Sequence, residues 1–231
     1  MANHAIFAPT FHGDAATVKR LLDQDASLVG VRDAKNLTPL HVAASRGQSE
    51  VAQLLIDYGA DVGGGTLGDD SDDVWTPLVF ASYRGHFEVA QVLIENGACV
   101  TTEGGNPIHF AAQRKHKDIC RLLVSHGAID DLLNTEDEDA VAMFRAAYSY
   151  DADAVEQILS RRPELICFRD RDGRTVLHEA CTGGDTKTVR VLLKNGADAT
   201  LVDVTGQTPT DRAAAHNQHA VTKLLTKHLD K

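Results

Sequence analysis

Apolar positions along this chain fall into repeated blocks, each a short segment rich in small residues followed by a longer amphipathic segment. In residues 38–47 (TPLHVAASRG), Ala43 and Ala44 are small enough for a short helix to approach a neighbour closely. The segment that follows places Val51 and Leu55 on one face at helical spacing. Two helices this short cannot bury their own apolar faces, so the pattern predicts helix–turn–helix units that are stable only when stacked.

The residues at the ends of each segment support these helix boundaries. Thr38 is a good N-cap, and Pro39 suits the first helical position, where its missing N–H costs nothing. Gly47 supplies the left-handed conformation that ends the first helix, and Gly59 closes the second. The sequence therefore predicts two helices per unit with a connector after the second.

The same phrase recurs along the chain. From its Pro or Val to the glycine after the second helix, the distance is 20 residues in four units. Residues 7–41 also align without a gap on residues 144–178, at a constant offset of 137, which indicates duplication of a block of units. The further copies of the phrase are TPLVFASYRG (76–85), NPIHFAAQRK (106–115), TVLHEACTGG (175–184) and TPTDRAAAHN (208–217).

These motifs resemble the ankyrin repeat family. T-P-L-H, two small residues, Gly and then V-x-x-L-L-x-x-G-A-D are specific to that family, and the resemblance covers about residues 5–229. The phrase GDAATVKRLLDQDASLVGVRD is similar to many bacterial members. The resemblance implies an all-α ankyrin-repeat solenoid of helix–turn–helix units with short hairpin-like connectors, forming a single domain over residues 1–231. The expected units are residues 5–36, 37–73, 74–103, 104–139, 140–172, 173–205 and 206–231.

Two of these units depart from the family pattern. The first and the fifth lack the T-P-L-H phrase. In the family the first unit caps the stack. We expect the fifth, which is internal, to bend or loosen it.

Composition narrows the class of partner. The chain carries 23 Lys and Arg against 33 Asp and Glu, for a net charge of -10, which argues against binding to a nucleic acid backbone. No apolar run approaches the roughly 20 residues that span a bilayer, and no secretory signal is expected. The four cysteines are widely spaced without a C-x-x-C pair. We therefore expect reduced thiols in a cytoplasmic protein, with no zinc site.

Eleven carboxylates crowd two segments, residues 61–73 and 130–139, which contain no Lys or Arg. One interpretation is a site for a basic partner or a cation, and the other is that charge keeps these loops solvated. Asp69-x-Ser71-x-Asp73 matches the start of a calcium loop but lacks its later Gly and Glu, so no metal site is predicted. The principal residues of the two acidic loops are Asp69, Asp70, Asp72, Asp73, Glu136, Asp137, Glu138 and Asp139.

Catalytic and cofactor motifs do not emerge from the sequence. There is no H-E-x-x-H and no G-x-S-x-G, and the glycines at 63–65 lack the Lys and Ser or Thr of a phosphate loop. The resemblance implies that His41, His109 and His178 are structural imidazoles that bond to backbone at the turn between repeats. We expect a protein without enzymatic activity and without a cofactor.

In ankyrin repeats the connector tips and first helices line a concave groove. The resemblance therefore implies a partner-binding strip over the third to fifth units, in which aromatic residues alternate with arginines, the types that dominate protein–protein hot spots. In the alternative, Phe80 and Phe110 pad contacts between first helices and Trp75 packs on its own connector. The strip comprises Trp75, Phe80, Tyr83, Arg84, Phe110, Arg114, Arg145 and Tyr148, and the same positions in the last two units hold Arg174, Glu179, Thr182, Gln207, Arg212, Ala215 and His216.

The function expected from this sequence is non-catalytic binding of another protein in the groove. The arginines favour an acidic or C-terminal carboxylate feature on that partner. The alternative is a regulatory subunit that engages an enzyme or basic partner through the acidic loops 61–73 and 130–139. The isolated protein is expected to be a monomer that binds neither nucleic acid nor membrane, and self-association through the fifth unit is a third possibility.

Overall fold

A computed structural model describes residues 5–68, 71–101, 106–129, 133 and 135–230. Over these residues the chain is mostly helical, which confirms the predicted all-α class. Short turns join the helices in pairs, as the repeat pattern predicts.

Fourteen α-helices lie in this part of the chain, with one β-hairpin and two short 3-10 helices. The helices are α1 (Phe7–His12), α2 (Ala15–Gln24), α3 (Pro39–Arg46), α4 (Ser49–Asp57), α5 (Pro77–Arg84), α6 (Phe87–Glu95), α7 (Pro107–Gln113), α8 (Lys117–Ser125), α9 (Glu138–Tyr148), α10 (Ala152–Arg161), α11 (Val176–Gly183), α12 (Thr186–Lys194), α13 (Pro209–Ala215) and α14 (His219–Leu229). The strands are β1 (Thr66–Gly68) and β2 (Ser71–Trp75), and the 3-10 helices are Ala26–Gly30 and Pro163–Cys167.

The ends of the first helices follow the predicted capping chemistry. The Thr38 side chain accepts the backbone N–H of His41, and Pro39 occupies the first turn of α3. Gly47 then ends that helix with a φ of 74°, in the left-handed region that favours glycine. Thr76 caps α5 in the same way. These local rules account for the equal length of α3 and α5, eight residues each.

The chain divides into two compact units, residues 1–110 and 111–231. In the first unit α3 packs between α1 and α5, while α4 packs between α2 and α6, so first and second helices form separate layers. The second unit has the same arrangement, with α9, α11 and α13 in one layer and α10, α12 and α14 in the other. The single domain and the seven repeat boundaries stay predictions.

The internal duplication is visible in the secondary structure. Helix α2 and the 3-10 helix after it reappear as α10 and its own 3-10 helix, both displaced by 137 residues. Asp14 accepts the N–H of Thr17 at the start of α2, and Asp151 accepts that of Ala154 at the start of α10. The gapless alignment therefore describes equivalent structures.

The turn of the fifth helix pair, α9 and α10, contacts the helices on either side of it, and the bend or loosening expected of this unit stays a prediction. Its turn contains Tyr150 at a φ of 61°, where four other pairs have a glycine with positive φ (Gly13, Gly47, Gly85 and Gly184). The Tyr150 hydroxyl lies 3.2 Å from the carbonyl of Ala112 and 3.3 Å from that of Gly183, and it donates to these oxygens. A tyrosine in place of glycine thus ties this turn to the helices on either side of it.

The connector before α5 forms an antiparallel hairpin, in keeping with the hairpin-like connectors that the resemblance implies. Thr66 pairs with Trp75 across the two strands. Trp75 directly precedes Thr76, the cap of α5, so the hairpin delivers the indole to the start of that helix. Asp69 and Asp70 lie outside the described residues.

His41 and His178 have the structural role that the resemblance implies. His41 Nδ1 accepts the Thr38 N–H at 3.2 Å and lies 2.7 Å from Thr38 Oγ1. His178 makes the same contacts with Thr175, and its Nε2 lies 3.3 Å from the carbonyl of Gln207. Burial lowers the pKa of both imidazoles, that of His41 to about 4.

The lowered pKa values of His41 and His178 predict that the folded protein loses stability in acid. The unfolded chain binds a proton at His41 near its usual pKa of 6.5 and the folded chain does not, so stability is lost as the pH falls from 6.5 towards 4. Through this pKa difference, His41 alone lowers the free energy of unfolding by about 3 kcal/mol between pH 6.5 and pH 4. Urea unfolding at pH values across this range measures the free energy of unfolding. We expect it to fall less steeply with decreasing pH in the His41→Gln variant than in wild type. An unchanged pH dependence in that variant would contradict the prediction.

Candidate partner-binding surface

Four aromatic rings of the first unit form one cluster around Trp75. The centroid of the Trp75 ring lies 5.0 Å from that of Phe80, 5.3 Å from that of Tyr83 and 5.0 Å from that of Phe110. All four side chains are half-buried, and Arg84 beside them is exposed. We call these five residues the aromatic surface.

Three structural elements build this surface. Phe80 and Tyr83 lie three residues apart on α5, so they share a helix face. Trp75 comes from the end of β2, and Phe110 from α7. Phe80 also meets the His41 ring at a centroid distance of 5.8 Å. It therefore packs on the preceding first helix, as the alternative interpretation expects, while part of its ring stays accessible.

Arginines flank the rings at the ends of two first helices. The Arg84 guanidinium carbon lies 5.6 Å from the centroid of the Tyr83 ring. One repeat earlier, the guanidinium carbon of Arg46 lies 3.8 Å from the centroid of the Phe11 ring. The Phe11 side chain is 40% exposed. Both distances are typical of cation–π contacts. Phe11 was not among the predicted site residues, although the offset of 137 aligns it with the candidate Tyr148.

The remaining residues of the predicted strip belong to the second unit. Arg114 and Arg145 are exposed there. Tyr148 is buried, with 3% of its surface exposed. Burial, followed by the negative charge of the nearby Glu179 carboxylate, raises the pKa of its hydroxyl well above the usual value. Tyr148 is therefore unsuited to be the surface anchor that the sequence analysis assigned to it.

Several predicted groove positions of the last two repeats are also buried. Glu179, Thr182 and Arg212 are each less than 9% exposed. Arg212 Nη1 lies 3.0 Å from Asp203 Oδ2, and its Nε donates to Thr182 Oγ1 at 3.2 Å. These side chains hold neighbouring repeats and loops together, so their polarity does not indicate a binding surface.

Asp203 stays ionised inside this network. Burial alone would raise the pKa of its carboxyl. Hydrogen bonds from Thr205 and the Gln207 backbone, with the charge of Arg212, outweigh burial and hold the pKa at about 2. The carboxylate is therefore charged at neutral pH and depends on its partners.

The second acidic loop is partly neutralised by residues distant in sequence. Arg162 Nη2 lies 2.9 Å from Asp137 Oδ2, and its Nη1 lies 3.3 Å from Asp139 Oδ2. Asp137 is also the N-cap of α9. Glu136 and Glu138 are exposed. Of the first loop, Asp72 and Asp73 lie on β2, and Asp69 and Asp70 are outside the described residues.

Other site chemistry is sparse in the described part of the chain. Within it, no cluster of three or more His, Cys, Asp or Glu could hold a metal ion. No helix among these residues is long and apolar enough to cross a membrane. Burial raises the pKa of the Cys120 thiol to about 12 and that of Cys181 still further, which makes both thiols unreactive, whereas Cys99 and Cys167 are exposed.

A family model described as "Ankyrin repeats (3 copies)" matches residues 3–66, 66–135 and 143–231. The chain belongs to the ankyrin repeat family. Ankyrin repeats are protein–protein interaction modules, so the general class of function follows from the family.

Curated relatives match short parts of this ankyrin repeat protein. The serine/threonine-protein kinase VIK of Arabidopsis thaliana is 49% identical over 21% of this chain and 11% of the kinase. Human ankyrin repeat domain-containing protein 49 is 50% identical over 20% of this chain and 19% of that protein. A Drosophila melanogaster relative, transient receptor potential cation channel subfamily A member 1, is 37% identical over 30% of this chain and 6% of the channel. The matches thus span less than a fifth of each of these relatives.

A solved structure supports the fold over nearly the whole chain. The ankyrin repeat domain of human ASB11 superimposes with a TM-score of 0.59 over 94% of this chain and 97% of the domain, at 22% identity. At this identity the likeness concerns the fold, and it confirms the predicted ankyrin-repeat solenoid class.

Proposed function

We propose that this ankyrin repeat protein is a non-catalytic binding module whose partner is a protein held at the aromatic surface. The observation that carries the proposal is the cluster of four half-buried rings around Trp75, with the exposed Arg84 at its edge. Half-buried Trp and Tyr present large rigid contact area at low conformational cost, and Arg adds charged hydrogen bonds. Together they suit a partner that offers an apolar side chain beside a carboxylate.

The exposed arginines set the expected chemistry of the partner. Arg84 can donate two parallel hydrogen bonds to a carboxylate, whether from an acidic side chain or a chain terminus. Arg114 and Arg145, exposed in the second unit, are proposed separately as contacts for acidic side chains. We do not propose inhibition through the acidic loops, because Asp137 and Asp139 already pair with Arg162.

The proposed setting is the cytoplasm, with the protein a monomer in the absence of its partner. Cys99 and Cys167 are exposed free thiols, which suit a reducing compartment.

Affinity capture with quantitative mass spectrometry tests the proposal. The double variant Tyr83→Ala/Arg84→Glu is compared with wild type, each shown by circular dichroism to be folded. We expect the main captured protein to bind the variant about 30-fold or more weakly, because truncation of one hot-spot residue costs about 2 kcal/mol of binding free energy.

The matched control changes two exposed residues on α6, the second helix of the same repeat. Gln91→Ala/Glu95→Ala should capture the partner as wild type does. Equal capture by wild type and the Tyr83/Arg84 variant would place the binding site elsewhere and refute the proposal.

A further inference from the structure

Helices α12 and α14 form a basic face on a chain whose net charge is -10. Neither helix contains an Asp or Glu. Their five cations are all exposed, and of these only Lys194 is in an ion pair within the described residues, with Glu156 at 2.7 Å. The five cations are Lys187, Arg190, Lys194, Lys223 and Lys227.

An open groove of about 310 Å³ runs between these two helices. Its polar lining is cationic, and its apolar lining is two half-buried leucines, Leu193 and Leu224. The groove, which we call the basic groove, is lined by Arg190, Leu193, Lys194, Leu224, Lys227 and His228.

We propose that the basic groove binds an acidic segment of a partner protein, at a site independent of the aromatic surface. The segment would place carboxylates on Arg190 and Lys227 and an aliphatic side chain on the two leucines. Arg190 offers the planar fork that matches a carboxylate. The Lys194–Glu156 pair is exposed and therefore weak, so an incoming carboxylate competes with Glu156 for that lysine.

The groove favours a short acidic peptide over other anions. An inorganic anion would gain nothing from Leu193 and Leu224, whereas a leucine-bearing segment buries them. A nucleic acid or an anionic membrane extends over many charges and would meet the negative field of the rest of the molecule. The groove's volume corresponds to a few side chains, at the small end of ligand sites.

Fluorescence anisotropy with the full chain tests this site. The ligand used is a labelled peptide of three Glu-Glu-Leu-Leu repeats, titrated at about 50 mM NaCl, where surface charges are weakly screened. We expect saturable binding that the charge-reversed variant Arg190→Glu/Lys227→Glu weakens about tenfold or more. The matched control, Arg20→Glu/Arg171→Glu, makes the same change in net charge at exposed positions outside the groove and should weaken binding by about twofold or less.

Two altered peptides separate the parts of the proposal. A peptide with Glu-Glu-Ser-Ser repeats lacks the leucine side chains and should bind more weakly than the original peptide. A peptide with Gln-Gln-Leu-Leu repeats lacks the carboxylates and should also bind more weakly. Absence of saturable binding, equal loss in the control variant, or equal binding of either altered peptide would overturn the proposal. Tighter binding of single-stranded DNA or of phosphatidylserine vesicles than of the peptide would overturn it as well.

Discussion

Replacing Arg212 with methionine is expected to lower the free energy of unfolding by about 3–5 kcal/mol. The Asp203 side chain that it pairs with is fully buried, and that of Arg212 is 10% exposed. The pKa of Asp203 is about 2, so the variant would leave a buried carboxylate charged at pH 7 with one partner fewer. Urea unfolding of wild type and variant at pH 7 measures the difference.

An exposed ion pair in the same unit provides the control. Lys194→Met removes the partner of Glu156 at a site where both side chains are solvated, and it should cost about 1 kcal/mol or less. If the Arg212 and Lys194 variants lost similar stability, the buried pair would not have the structural role assigned to it.

Phe144→Ala is expected to cost about 3–5 kcal/mol, because the ring is 1% exposed and its removal leaves a cavity. The ring lies in α9 and meets that of Phe168 at a centroid distance of 6.2 Å. The same urea unfolding measures this loss.

The internal duplication supplies a matched comparison for Phe144. Phe7 occupies the equivalent position, 137 residues earlier, but its side chain is only half-buried. Phe7→Ala should therefore cost clearly less than Phe144→Ala. If the two variants lost the same free energy of unfolding, the two side chains would be equally buried, which would contradict the observed difference in their exposure.

The fold was predictable because its determinants are local and repeated. Thr38 and Gly47 define a helix by capping and by left-handed backbone, and the same chemistry recurs in other repeats. A hairpin-like connector before α5 follows from the family resemblance, but the register that pairs Thr66 with Trp75 was not predicted, because this connector is longer than the others.

The candidate site was predictable only in part, because the repeat pattern gives a residue's position but not its burial. Trp75, Phe80, Tyr83 and Phe110 do come together. Tyr148 occupies an equivalent position and is buried against Glu179. Contacts between repeats decide such cases, and no single repeat contains that information.

The same limit applied to charge. The acidic loop at 130–139 contains no basic residue, yet Arg162 reaches Asp137 and Asp139 from the end of the following helix pair. A count of charges along the sequence cannot show this neutralisation, because Arg162 and the loop at 130–139 come together only in the folded chain.

Site-specific photo-crosslinking tests the proposed binding surface most directly. A photoreactive phenylalanine analogue is placed at Arg84, beside the aromatic rings, or at Glu95 on the second helix of the same repeat, both of which are exposed. We expect a crosslink to the captured partner from position 84 and none from position 95. A crosslink from position 95 alone would show that the partner binds the second-helix layer and would contradict the assignment of the aromatic surface.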